Sequence, residues 1–170
     1  RTLHSQHSSK IYKASGMAPP SQHLSWGELA CHDGTPYPPE WRGTRLPVLA
    51  AVFEDLRKTL GGHPLRIGSA YRTPPWNRRN GGAAKSQHIE GRALDIYCPR
   101  GRGLSKAEFR RQVKQFALGD FRVGAVGWYH WGVHIDTRGN RCEDSPRLVY
   151  WNQTESGTRL HDSRRESTST

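Results

Sequence analysis

The segment Ser86-Gln87-His88-Ile89-Glu90-Gly91-Arg92-Ala93-Leu94-Asp95 and the later Val133-His134-Ile135-Asp136 supply two imidazoles and a carboxylate that can converge on one metal ion. Imidazole nitrogen and carboxylate oxygen are zinc donors, and a set of three protein ligands keeps a fourth coordination position for a water or a substrate oxygen. The pattern reads as a mononuclear Zn2+ site of His88, Asp95 and His134, whose open position points to catalysis. Arg72, in Ser69-Ala70-Tyr71-Arg72-Thr73-Pro74, adds a guanidinium at a strand end. It can grip a substrate carboxylate or a developing oxyanion through paired hydrogen bonds, or form a salt bridge with Asp95 or Glu90.

Local structure must aim these groups. His88 falls in a loop after Asn80-Gly81-Gly82, whereas Asp95 falls on a strand whose alternation sends Ala93 and Asp95 to one face and Leu94 and Ile96 to the core. Left unpaired among such neighbours, a carboxylate costs on the order of several kcal/mol, so a cation must neutralise it. Zinc, Arg92 and Arg72 are the alternatives. His134 and Asp136 share a strand face opposite Val133 and Ile135, and a carboxylate two residues from a ligand can orient that ligand or its water.

Leu46, Leu49, Val52, Phe53, Leu56 and Leu60 recur at helical spacing, and Gly61-Gly62 can supply the left-handed residue that stops a helix. Ser105 with Glu108 predicts a capping box ahead of a second helix, with Phe109, Val113 and Phe116 on its apolar face. Strands are predicted at Leu65–Tyr71, Ala93–Cys98, Val123–Tyr129 and Gly132–Thr137. This order implies an α+β fold: a small, mainly antiparallel sheet with helices packed on it and the zinc site in a cleft on the sheet. A single domain is expected over residues 23–151, between a polar flexible arm (1–22) and a Ser, Thr and Arg-rich flexible tail (152–170).

With 26 Lys plus Arg against 15 Asp plus Glu, the formal charge of +11 favours a polyanionic partner: nucleic acid, an anionic membrane surface or an acidic wall polymer. The basic residues are spread from Arg1 to Arg165, which equally fits a solvated surface. No window reaches the roughly 18 to 20 apolar residues of a membrane span. Arg1 to Lys13 show no apolar signal-peptide core. Cys31, Cys98 and Cys142 lack Cys-x-x-Cys spacing; a Cys31–Cys98 disulfide and three free thiols both remain open.

Tyr71-Arg72-Thr73-Pro74, Asn77, Gly81-Gly82-Ala83, the pattern Ser-x-His-x-x-Gly-x-Ala-x-Asp from Ser86 to Asp95, and His134-Ile135-Asp136-Thr137-Arg138 together resemble the zinc D-Ala-D-Ala metallopeptidases. Leu24-Ser25-Trp26-Gly27-Glu28-Leu29-Ala30-Cys31 is similar to that family's lead-in, so the resemblance spans residues 22–151. The chain is most similar to the D-Ala-D-Ala carboxypeptidases and the related peptidoglycan endopeptidases, including phage endolysins. The resemblance implies zinc held by His88, Asp95 and His134, Arg72 on the substrate's carbonyl or carboxylate, and the peptide stem of peptidoglycan as substrate. It also implies work at the cell envelope, periplasmic or extracellular, or from a phage particle.

Many relatives carry a Glu or an extra His a few residues before the last ligand as general base; here those places hold Trp128, Tyr129, His130, Trp131 and Gly132. His130 has a suitable unperturbed pKa of about 6.5 but lies four strand residues, about 13 Å, from His134 unless the chain bends at Gly132. Asp136, two residues from the ligand, needs no bend and is preferred. Without a base, the same fold would serve as a non-catalytic zinc-containing wall-binding or virion structural module. Trp128, Tyr129 and Trp131 near basic residues would suit single-stranded nucleic acid, but no nucleic-acid module is recognisable, and this reading ranks last. The sequence leaves the oligomeric state open.

Overall fold

The computed structural model describes residues 16–99, 103–139, 141, 147–153 and 159–161. Helix α1 (Trp26–Leu29) opens on a complete capping box, in which the Ser25 hydroxyl accepts from the Glu28 N–H and the Glu28 carboxylate accepts from the Ser25 N–H. A 3-10 turn at Pro39–Trp41 leads to α2 (Arg45–Thr59), whose Leu46, Leu49, Val52, Phe53 and Leu56 are buried as their spacing predicts. The helix stops where Gly61 and Gly62 take φ of 74° and 72° and their N–H groups return to the carbonyls of Lys58 and Arg57.

Strand β1 (Arg66–Ser69) is followed by α3 (Pro74–Arg79), β2 (Ala93–Tyr97), α4 (Lys106–Gly119), β3 (Ala125–Trp128), β4 (Val133–Asp136), β5 (Val149–Gln153) and β6 (Arg159–His161). They form one six-stranded sheet in the order β1-β2-β4-β3-β5-β6. Every pairing is antiparallel except β3 with β5. The fold is thus α+β, with a mainly antiparallel sheet.

One face of the sheet faces the helices. Leu94, Ile96, Val126, Val133 and Ile135 join Leu49, Phe53, Phe109 and Val113 of α2 and α4 in a common core. Each such side chain contributes roughly 1.5–3 kcal/mol when fully buried. Because side chains alternate along a strand, that anchoring turns Asp95 and His134 to the opposite face.

The elements depart from expectation at several points. All four predicted strands are shorter by one to three residues. At α4 only half the box forms: the Ser105 hydroxyl accepts from the Glu108 N–H, but the Glu108 carboxylate is taken by Arg111 and Gln112. Pro74 and Pro75 do not simply extend the chain; they fill the first turn of α3 behind a Thr73 cap, where a missing N–H costs no helical bond. The sheet also continues past residue 151, since β5 runs to Gln153 and pairs with β6 through Trp151↔His161 and Gln153↔Arg159. Main-chain pairing supplies there an order that apolar content does not.

At the other end, the Trp26 indole donates to the Ala18 carbonyl at 2.8 Å, tying down the last part of the expected arm. Its first fifteen residues, like 154–158 and 162–170 of the tail, lie outside the described residues. Cys31 is a free thiol, so the Cys31–Cys98 disulfide does not form, and Cys142 lies outside the described residues. Among the described residues no helix is long and apolar enough to cross a membrane.

Candidate metal centre

Strands β2 and β4 are neighbours, and their register sets Asp95 directly opposite His134. His88 reaches the same point from the loop between α3 and β2. Its Nδ1 lies 2.5 Å from the Ala70 carbonyl, and its own carbonyl accepts from the Arg72 N–H at 3.1 Å, so the loop is fastened to the end of β1. Gly91 makes that loop fit. Its φ is 61°, a Cβ there would lie 2.6 Å from the Trp41 ring, and its carbonyl accepts from the Tyr37 hydroxyl at 2.7 Å.

The three side chains meet as an almost equilateral triangle. His88 Nε2 is 3.1 Å from Asp95 Oδ1 and 3.1 Å from His134 Nδ1, and His134 Nδ1 is 2.9 Å from Asp95 Oδ1. Donors bound to one tetrahedral zinc at about 2.0–2.1 Å stand about 3.3 Å apart. The cluster therefore has nearly the dimensions of one face of such a coordination sphere.

Tautomers decide what this triangle wants. With the Ala70 carbonyl accepting from Nδ1–H, a neutral His88 presents the Nε2 lone pair; with Asp136 Oδ2 accepting from Nε2–H at 2.9 Å, a neutral His134 presents the Nδ1 lone pair. Two lone pairs and a carboxylate oxygen directed at one buried point repel each other unless a proton or a metal cation sits between them. The residues fit a divalent metal.

Electrostatics around the triangle are tightly balanced. Burial alone would push the Asp95 carboxyl up, but the charge of His88 and hydrogen bonds from His134 and His88 overcome it and hold the group far below the usual carboxylate range. For His88, burial dominates and lowers the imidazole below its ordinary value. Burial acts the same way on His134, yet its bonds to Asp136 and Asp95 win and raise it. Burial would likewise raise Asp136; His134 and Arg138 keep it low.

Of the roles considered for Arg72, the structure shows the salt bridge with Asp95. Its Nη2 donates to Asp95 Oδ2 at 2.6 Å, its Nε to the Ser69 hydroxyl at 2.8 Å, and it lines the cleft above the triangle. Glu90 pairs instead with Arg45 at 3.0 Å. Asp136 sits behind His134, fully buried, with Arg138 Nε and Nη2 on its carboxylate, so it touches the ring on the side away from the triangle. That geometry suits the orienting role and not proton transfer in the cleft. The chain does bend between β3 and β4, where the Tyr129 N–H bonds the Gly132 carbonyl, but His130 is left exposed on that turn and is not among the cleft-lining residues.

Several cleft residues had not been expected there. Tyr129 and Trp131 stack at 4.8 Å on one wall, and the Tyr129 hydroxyl donates to Asp95 Oδ1 at 3.2 Å. Trp131 lies over Gly68, where β1 bulges against β2, and a Cβ at Gly68 would be 3.0 Å from the indole. Trp76 and His32, edge to face at 6.0 Å, line the same cleft. Behind the site Trp151 of β5 packs on His134 at 5.4 Å and occupies the space above Gly127, the residue of β3 paired with His134. The one sequence signal for that contact was the glycine inside a strand.

Among curated proteins none matches the chain. The model of the family described as Peptidase M15 matches residues 22–136, well over half of the chain, and covers all three members of the triangle. The chain therefore belongs to the peptidase M15 family, the zinc D-Ala-D-Ala metallopeptidases, and its His-Asp-His cluster could hold the metal on which such enzymes depend.

Proposed function

We propose that this protein is a zinc metallopeptidase that hydrolyses peptide bonds in peptidoglycan stem peptides, as a D-Ala-D-Ala carboxypeptidase or a cross-link endopeptidase. The observation that carries this reading is the convergence of His88 Nε2, His134 Nδ1 and Asp95 Oδ1 at 2.9–3.1 Å, with both imidazoles held by carbonyl or carboxylate partners in the metal-binding tautomer. Zinc there would supply Lewis acidity and lower the pKa of a bound water to about 7.

The chain's own groups do the remaining work. Asp136 and the Ala70 carbonyl hold the two rings, and Trp151 keeps water from the back of His134. Arg72 is braced by Ser69 and Asp95, and its Nη1, without a partner among the described residues, is available to a substrate carboxylate or a tetrahedral oxyanion. The charge of +11 favours retention on an anionic wall polymer, which suits action at the cell envelope or from a phage particle.

Incubating the purified protein with peptidoglycan, with and without a chelator, tests this directly. Chromatography should show D-Ala or cross-linked fragments released only when zinc is bound. His88→Ala should lose bound zinc and at least about 100-fold of the activity. Equal release by that variant would refute the site.

A second reading has one observation behind it. Asp95 is the only carboxylate among the described cleft-lining residues, and it belongs to the triangle itself. A fold with the metal cluster but no carboxylate base suits a non-catalytic wall-binding or virion module. Wall binding with no product under any metal condition would favour it.

A further inference from the structure

We propose that His32 is the proton carrier of this cleft. It takes the proton that the nucleophilic water gives up as the new C–O bond forms at the scissile carbonyl, and returns it to the leaving amine nitrogen as the C–N bond breaks. Peptide plus water becomes carboxylic acid plus amine, and His32 ends as it began. The proposal rests on the peptidase reading above and supplies the group which that reading lacks.

The cleft itself narrows the choice. Asp136 is turned away behind His134, His130 is exposed on the β3–β4 turn, and the Tyr129 hydroxyl is committed to the Asp95 oxygen that belongs to the triangle. Among the described cleft-lining residues, His32 is the remaining side chain that can exchange a proton near neutral pH. It was not expected from the sequence, since it lies 56 positions before His88 (88 − 32) in the segment after α1.

That segment is stitched to the Arg72 loop. The Cys31 N–H bonds the Thr35 carbonyl at 2.8 Å, the Thr35 N–H bonds Asp33 Oδ1 at 2.9 Å, the Thr73 hydroxyl bonds Asp33 Oδ2 at 2.5 Å, and the Tyr71 N–H bonds the Leu29 carbonyl at 3.2 Å. These bonds carry His32 to the wall that also bears Arg72. There the ring meets the Trp76 ring edge to face at 6.0 Å and lines the cleft beside Gly68 and Arg72. The ring contact restricts how it can turn.

Its electrostatic setting suits a carrier. Burial first, and the Arg72 guanidinium second, lower its pKa below the ordinary imidazole value, against the opposing pull of Asp33 and Asp95. The ring is therefore neutral at pH 7 and able to accept a proton, and once charged beside Arg72 it is a stronger acid than a free imidazolium.

The test compares wild type with His32→Gln, each loaded with zinc. The variant should keep the wild-type circular dichroism and zinc content, lose about 100-fold or more in kcat with little change in KM, and lose the acid limb of the kcat/KM profile. A second readout needs no activity: NMR titration of the metal-free protein should find the His32 ring titrating below about 6.5, and Arg72→Ala should raise it. An unchanged kcat and acid limb in His32→Gln, with wild type active, overturns the role of His32 alone. A wild type that releases no product with zinc bound overturns the peptidase reading and this proposal with it.

Discussion

Gly127→Ala isolates the support that Trp151 gives to the metal site. A Cβ on Gly127 would lie 2.0 Å from Trp151 Cζ2, against an ordinary contact of at least 3.4 Å, so the two groups must separate by 1.4 Å or more (3.4 − 2.0). The backbone of β3 is poorly placed to move, being hydrogen-bonded to β4 on one side and β5 on the other. Trp151, which is 3% exposed, must swing instead and uncover His134. Overpacking of this size costs about 1–3 kcal/mol. Urea unfolding under chelation measures that cost free of any metal contribution. Zinc affinity, measured by competition with a chromophoric chelator, should fall about 10-fold or more as His134 loses its packed orientation. Removing the indole relieves the clash, so Gly127→Ala should cost much less in a Trp151→Leu background than alone. A single variant within about 0.5 kcal/mol of wild type and unchanged in zinc affinity would refute the reasoning.

Asp136→Asn replaces the acceptor for His134 Nε2–H and loosens the ring; zinc affinity should drop about 10- to 100-fold with secondary structure intact, by the same competition assay. Asp33 links the His32 segment to Thr73. Burial tends to raise its pKa, but bonds from Thr73 and Thr35 bring it to about 2, below its ordinary value of 3.8. A depressed carboxylate contributes stability that is present above the unfolded pKa and lost as pH falls through the folded one. Asp33→Asn should therefore lower Tm at pH 7, with the difference closing between pH 3.8 and about pH 2 in thermal melts; a difference independent of pH would contradict this.

Much of the site was legible because its information is local. Two-residue alternation in Ala93-Leu94-Asp95-Ile96 and Val133-His134-Ile135-Asp136 makes the choice of face automatic once Leu94, Ile96, Val133 and Ile135 are buried. The stripe from Leu46 to Leu60 with its glycine stop likewise carries a whole helix in one window. Helices α1 and α3, of four and six residues, are too short for helical periodicity to show. Strand β6 takes its order from main-chain pairing, to which side-chain composition is nearly blind.

By itself, then, the sequence determined which residue types were present, which faces they would occupy, and through its ten-residue motif the family. Tertiary structure alone decided which atoms meet. Register placed Asp95 against His134, and carbonyl and carboxylate partners 18 and two residues away chose the imidazole tautomers. A packed tryptophan closed the back of the site, and a histidine far along the chain came to its mouth. The physical reason is that periodicity specifies a direction from a few neighbouring residues. Contact across the chain depends on register and packing, which no single window contains.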